Sequence, residues 1–396
     1  MRTYPLLYGH SEQLLALPDP LEPVLLSPPD TPADPHPLKQ VENALQNPLN
    51  QYSLALFSGA RSVAIAINDK TRPVPHAHIL PPLLQTLRGL GIPKSAIELI
   101  VATGTHAPMS QDEIRQMLPA EITAEYHVFS HNIDQEDDFV DLGVTQRGTP
   151  VLINRHFVQT DLKIVTGNIE PHHFMGFSGG VKSASIGLAG RSTINHNHAM
   201  LVHADAKTGE YDHNPMRQDV EEMGQMIGVD FALSTILNQE KEIIQALAGR
   251  PLDVMQAGIA FSRQICQVSV EEPFDLVIAS GGGYPKDINL YQAQKALTNA
   301  AAVTRDGGVV ILLAECREGS GSPAFERFIE DVSTPDEVFE KFSREGFRVG
   351  PHKAFQIARI VKRVNVILVS SLSDEQTRRY LMTPAPDLQA AFSLAS

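Results

Sequence analysis

Residues 170–198, EPHHFMGFSGGVKSASIGLAGRSTINHNH, set His172, His173, His196 and His198 beside one amine, Lys182, and a run of glycines. Imidazoles bind metals and carry protons near neutrality. A lone amine can act as a nucleophile, and bare glycine backbone can face an anion. Gly176 opens a stretch that reaches Lys182-Ser183 with nearly the spacing of a phosphate loop. That loop needs glycine before its lysine, so that backbone N–H groups can wrap the phosphate, and the residue here is Val181. The glycines can still cradle some anion, because a glycine run entering a helix exposes N–H groups at the positive end of the helix dipole.

A zinc site needs about three protein ligands at recognisable spacings. Neither His172/His173 nor His196/His198 has the i, i+4 spacing of a helical zinc motif. Neighbouring side chains diverge, so one member of each pair is expected to face a site and the other to be structural. A metallohydrolase with His106, His172 and Asp69 around zinc is one competing reading, and a nucleotide- or metal-binding protein without turnover is another. No G-x-S-x-G elbow occurs. Cys266 and Cys316 lie in separate segments and are expected to be small core residues. Gly281-Gly282-Gly283 only partly resembles a dinucleotide loop.

These residues must be positioned by regular elements. Eight prolines between residues 18 and 37 rule out a helix there and favour an extended arm or edge strand. The runs SVAIAIND, AIELIVATGTH, EYHVFSH and DLKIVTGN then alternate with helix-like PPLLQTLRGLG and MSQDEIRQMLP. Apolar runs of this kind, separated by helices, predict a mostly parallel sheet covered on both faces. The pattern restarts at FDLVIASGGGYP and continues through LYQAQKALTNAAAV, GGVVILLAE and VNVILVSS. The expected fold class is therefore two α/β domains with mostly parallel sheets, residues 1–268 and a Rossmann-like 269–396, with an active-site cleft between them. Functional groups in such sheets gather past the carboxyl ends of strands. Asp69 and Arg72 follow one run, His106 a second, His172 a third and Gly281–Gly283 with Tyr284 a fourth.

A chain of 396 residues, 42% hydrophobic, can bury a sizeable core. Its 32 lysines and arginines against 46 carboxylates give a net charge of −14, which argues against nucleic-acid and anionic-membrane surfaces. Any anionic ligand must be held by local basic residues. No apolar run approaches the roughly 20 residues needed to span a bilayer, and MRTYPLLYGH lacks a signal-peptide core. A cytoplasmic protein is expected, with no membrane partner.

Taken in order, NDKTRPVP, ATGTHAPMS, EPHHFMGFSGGVK, AGRSTINHNH and GGGYPKDINLYQAQKAL resemble the lactate racemase family. The resemblance implies a racemase or epimerase of a short-chain 2-hydroxy acid. It implies nickel held in a nickel-pincer nucleotide, pyridinium-3,5-bisthiocarboxylic acid mononucleotide, made by maturation proteins and tethered to a lysine by a thioamide. Lys182 matches the tethering lysine and His198 the nickel ligand. His106 and His172 match the acid/base pair. Gly179, Gly180, Asp69, Tyr291 and Gln292 match cofactor-lining positions, and Arg72 and Lys295 match substrate-binding ones. A homo-oligomer is left open. Val181 stands where the family's lactate racemase has arginine, and KSASIGLAG lacks an expected proline. Both departures leave the chemical residues intact and the exact substrate open.

The chemistry fits these residue types. A 2-hydroxy acid inverts if a base takes the hydroxyl proton while C2 gives a hydride to an acceptor, leaving a planar keto acid that accepts hydride on either face. Two bases are needed, one for each enantiomer, and histidine suits both. Arg72 would dock the carboxylate as a bidentate fork. Soft donors on the cofactor explain why a single histidine ligand and no cysteine cluster suffice. Phe174 and Met175 beside His172 favour a compact apolar substituent, whereas His173 or Lys286 could meet a second carboxylate.

Overall fold

The turn Gly9-His10 joins two antiparallel strands, β1 (Arg2–Tyr8) and β2 (Ser11–Leu17), and Gly9 has φ +54°, as so tight a turn requires. Prolines then keep the chain irregular as far as helix Pro37–Gln46. The computed structural model describes residues 2–395 and divides after Leu26 and after Gln267. Ser27–Gln267 is one compact unit, and the stretch up to Leu26 clusters with the chain from Val268 onward. The opening hairpin, counted from sequence with the N-terminal domain, thus packs elsewhere. Leu15 and Leu17 of β2 are buried in one core with Ile311, Leu313, Ile367 and Val369.

The first unit holds β3 (Val63–Asn68), β4 (Ile97–Ala102), β5 (His127–Ser130), β6 (Phe139–Val144), β7 (Pro150–Asn154), β8 (Leu162–Asn168), β9 (Pro171–His172), β10 (Gly176–Phe177), β11 (Phe231–Leu237) and β12 (Ile243–Gly249). Val63 to Ile67 are all fully buried, which fits a strand covered on both faces. The main sheet runs β12-β11-β8-β3-β4-β5, parallel except for β12. The chain winds outward from β3 through β4 to β5, then returns to lay β8 on the other side of β3. The carboxyl ends of β3 and β8 therefore flank a topological switch point, where open α/β sheets place their ligands. Two small hairpins, β6/β7 and β9/β10, complete the unit.

The second unit builds β13 (Phe274–Ser280), β14 (Thr304–Leu313), β15 (Asn365–Val369) and β16 (Thr383–Ala385) into a parallel sheet in that order. Helix Leu290–Ala302 connects β13 to β14. The expected class, two α/β units with mostly parallel sheets, is the observed one. Of the two cysteines, Cys316 is buried, but Cys266 is exposed as the last residue of helix Pro251–Cys266, not a core residue. Among the described residues no helix is long and apolar enough to cross a membrane.

Candidate active site

β3 delivers Asp69 to its carboxyl end, where the side chain is only 4% exposed. The Thr71 N–H and hydroxyl donate to its Oδ1 at 3.0 and 2.6 Å. From the end of the neighbouring β4, the turn Thr103–His106 brings His106 Nδ1 to 2.6 Å from Asp69 Oδ2. Gly104 takes φ +56° in this turn, and its N–H donates to the Gly187 carbonyl at 2.9 Å. Burial works to raise the Asp69 carboxyl, yet the hydrogen bonds from His106 and Thr71 hold it below its ordinary value. An ionised carboxylate only accepts, so the proton of neutral His106 sits on Nδ1. Its Nε2 keeps a lone pair.

His172 follows β8 and is arranged the opposite way. The Met175 N–H donates to its Nδ1 at 3.2 Å, so the neutral ring carries its proton on Nε2. Burial first, then Lys182, His173, Arg72 and His198, push this imidazole well below the usual histidine range. The His173 ring does not diverge from it but stacks on it, with centroids 4.7 Å apart. His172 ends a strand and His173 begins a turn, so strand alternation does not govern the pair. Phe174 meets both rings edge-on.

Lys182 opens the short helix Lys182–Ser185. Burial, then the charges of Arg72 and Arg217, push its amine well below the usual lysine range and favour the neutral, nucleophilic form. Before it, Gly179 has φ +87°, and a Cβ there would lie 2.7 Å from the Asn168 carbonyl oxygen. Arg217, fully buried on helix Pro215–Ile227, fixes this loop from behind. It donates to the Gly179 and Phe177 carbonyls at 3.2 Å and pairs with Glu221 at 2.6 Å.

His196 and His198 share helix Arg191–Ala199 but face apart. His196 Nδ1 lies 2.8 Å from the Thr149 hydroxyl, a structural bond. His198 turns inward beside Phe174, and burial, with Lys182 nearby, pushes its imidazole down to about 3. The buried carboxylate of Asp219 accepts from Thr145, Thr149 and Asn197 at 2.6, 2.8 and 2.9 Å and so anchors this helix. Arg217 and Asp219 were not legible in sequence. Their only signal is charge at positions of helix Pro215–Ile227 that also carry buried Met216, Val220 and Met223.

Arg72 is exposed, and its N–H donates to the Asp69 carbonyl at 3.1 Å. Its charge is felt by both His172 and Lys182. The first unit thus gathers Asp69, Arg72, His106, His172, Lys182 and His198 around the ends of β3, β4 and β8. The fourth strand end, Gly281–Gly283 after β13, belongs to the second unit's sheet. There Asn289 caps helix Leu290–Ala302 through the Gln292 N–H at 3.1 Å, and Lys295 Nζ donates to Gln292 Oε1 at 3.0 Å. Among the described residues no three His, Cys, Asp or Glu side chains are grouped to hold a metal, so the zinc hydrolase reading lacks its ligand set.

The sequence model of the lactate racemase N-terminal domain matches residues 8–209, and that of the lactate racemase C-terminal domain matches residues 270–396. Lactate racemase of Thermoanaerobacterium thermosaccharolyticum is 33% identical over 363 residues, covering 90% of this chain and 84% of the relative. Lactate racemase of Lactiplantibacillus plantarum is 33% identical over 340 residues, covering 84% and 80%. The solved lactate racemase apoprotein from T. thermosaccharolyticum superposes with a TM-score of 0.89 at 30% identity, over 100% of this chain and 94% of that one. A Thermotoga maritima protein, at 17% identity and TM-score 0.63, shares the fold.

Proposed function

The chain belongs to the lactate racemase family of isomerases, a family that uses nickel, and on that premise we propose that it interconverts the enantiomers of lactate or a similarly short 2-hydroxy acid. One observation carries the reading. Two histidines from the strand ends on either side of β3 are held in opposite tautomers, next to a half-buried amine favoured neutral and an exposed guanidinium.

The residues fit a lysine-tethered nickel-pincer nucleotide. Lys182 is half-buried with its amine favoured neutral, as acylation requires, and we assign it the tether. His198 is a half-buried imidazole kept neutral, the form that binds a metal, and we assign it the nickel. The turn at Gly179-Gly180, where both residues have positive φ, leaves no room for side chains on the approach to Lys182. When bound, that group supplies the hydride acceptor that inversion at C2 requires.

Arg72 holds the substrate carboxylate as a fork. The Nε2 lone pair of His106 takes the hydroxyl proton, and Asp69 stabilises the imidazolium that forms. Asp69 is engaged by His106 and Thr71, so we assign it the orientation of His106 in place of direct contact with the nucleotide. His172 presents Nε2–H to the substrate oxygen. To serve as base for the opposite enantiomer it shifts its proton to Nδ1 and gives up the Met175 hydrogen bond. Phe174, packed edge-on against His172, leaves an apolar surface suited to a methyl or slightly longer alkyl substituent. One methylene is worth only about 1–3 kcal/mol of discrimination, so several short substrates should turn over.

Mass spectrometry of protein co-expressed with cofactor-maturation proteins tests the assignment. A nucleotide adduct on Lys182 is expected, and full racemisation by a chain whose Lys182 is unmodified would overturn it.

A further inference from the structure

Helix Pro215–Ile227 has no residue among those assigned to substrate, cofactor or metal, yet it holds each element that has one. Its N-cap, Asn214, is fully buried and donates from Nδ2 to the Phe174 carbonyl at 2.9 Å, in the turn that follows His172. Arg217 donates to the Phe177 and Gly179 carbonyls, just ahead of Lys182. The Val220 carbonyl accepts from the Ser185 hydroxyl at 3.1 Å, in the short helix that Lys182 opens. Asp219, also fully buried, takes the helix that carries His198.

The link through Asp219 is the most restrictive. Its donors are the hydroxyls of Thr145 and Thr149 and the amide of Asn197, and these hydrogen bonds offset the cost of burying its charge. A carboxylate only accepts, which leaves each donor one direction. Thr149 gives its single hydroxyl proton to Asp219, so His196 Nδ1–H donates to the Thr149 oxygen at 2.8 Å. Asn197 gives both amide hydrogens to helix Pro215–Ile227, one to Asp219 at 2.9 Å and one to the Met216 carbonyl at 3.0 Å. Thr193 donates to the Pro150 carbonyl at 2.6 Å. Residues 193, 196 and 197 lie on one face of helix Arg191–Ala199, so together they fix its rotation. Successive helical side chains stand about 100° apart, and His198, next after Asn197, is thereby aimed at Phe174.

We propose that Asp219 is a positioning residue: through Asn197 it sets the rotation of helix Arg191–Ala199 and so the direction of His198. The nickel role of His198 rests on the racemase reading, whereas the aim of its ring does not. Groups that orient a metal-binding histidine typically govern metal affinity by about 10–100-fold.

Carbethoxylation of histidines by diethyl pyrocarbonate, mapped by peptide mass in the full chain without cofactor, tests it. Asp219→Ala and Asn197→Ala should each speed reaction at His198 about tenfold or more, since each removes a charge-assisted hydrogen bond that holds the helix. His76 and His131, buried in the same unit, should keep their rates. An unchanged rate at His198 overturns the proposal, and so does equal acceleration of all three, which would show a general loss of stability. Asn197→Ala leaves Asp219 its two threonines and decides the matter if Asp219→Ala does not fold. In protein matured with cofactor, both variants should keep the Lys182 adduct and lose nickel to a chelator about tenfold faster. Nickel held as firmly as in the wild type would also overturn the proposal. A Lys182 adduct with His198 labelling unmoved sinks only this proposal, and a labelling change without the adduct sinks only the racemase reading.

Discussion

The contact of 2.6 Å between Asp69 and His106 decides which ring nitrogen of neutral His106 keeps its lone pair. An Asp69→Asn variant keeps the size of the side chain but removes the charge that stabilises imidazolium. Racemisation should fall about 10²–10⁴-fold, the range for losing acid–base assistance. Both directions should fall together, because enantiomers have equal free energies. The Lys182 adduct should persist, and a variant with the wild-type rate would contradict the assigned role. At this scale the residue types and their positions after strands were legible in the sequence, because short motifs carry them. The tautomers were not, since they depend on Asp69 Oδ2 and the Met175 N–H, one 37 residues from its histidine and the other inside a turn. Nor did sequence show that Lys353 is buried, because a lysine in an amphipathic helix usually faces water.

Elements were legible where their patterns are local. The capping box of Ser110 and Glu113 opens helix Gln111–Met117 inside the segment MSQDEIRQMLP. The strand order was hidden, because parallel strands are joined by crossovers and nothing local says that β8 returns beside β3. Two histidines packed against these elements set an acid limit on stability. His76 donates from Nε2 to the Asn68 carbonyl at 3.0 Å, and His131 lies 3.2 Å from the Ala189 carbonyl. Burial pushes both from 6.5 down to about 4. The unfolded chain takes up these protons near pH 6.5 while the native chain refuses them until about pH 4. Within that window the unfolded state binds more protons, so stability falls as pH falls, by up to about 1.4 kcal/mol per pH unit for each histidine. Urea unfolding across the window should show this decline, and His131→Gln should make it shallower. An unchanged slope in that variant would contradict the neutral burial of His131.

Across the whole molecule, the boundary expected at residue 268 reflects a restart of the α/β pattern, and the compact unit that begins at Ser27 ends at Gln267. The allegiance of the opening hairpin could not be read that way. Leu15 and Leu17 share a core with Ile311 and Leu313, nearly 300 residues later, and no local period reports such a pairing. The acidic net charge likewise concealed how individual cations are arranged. Arg72 and Lys182 influence His172 in one unit, while Lys295 and Lys353 neighbour one another in the other.

The claim that joins these scales is that C2 gives up its hydrogen as a hydride while histidines handle only the hydroxyl proton. It is tested most directly by following C2-deuterated lactate through racemisation by the cofactor-loaded enzyme in ordinary water. The product enantiomer should keep its deuterium at C2, because a hydride does not exchange with solvent. Extensive washout of the label in the earliest turnovers would show that a base removes the C2 hydrogen as a proton, and would contradict the account.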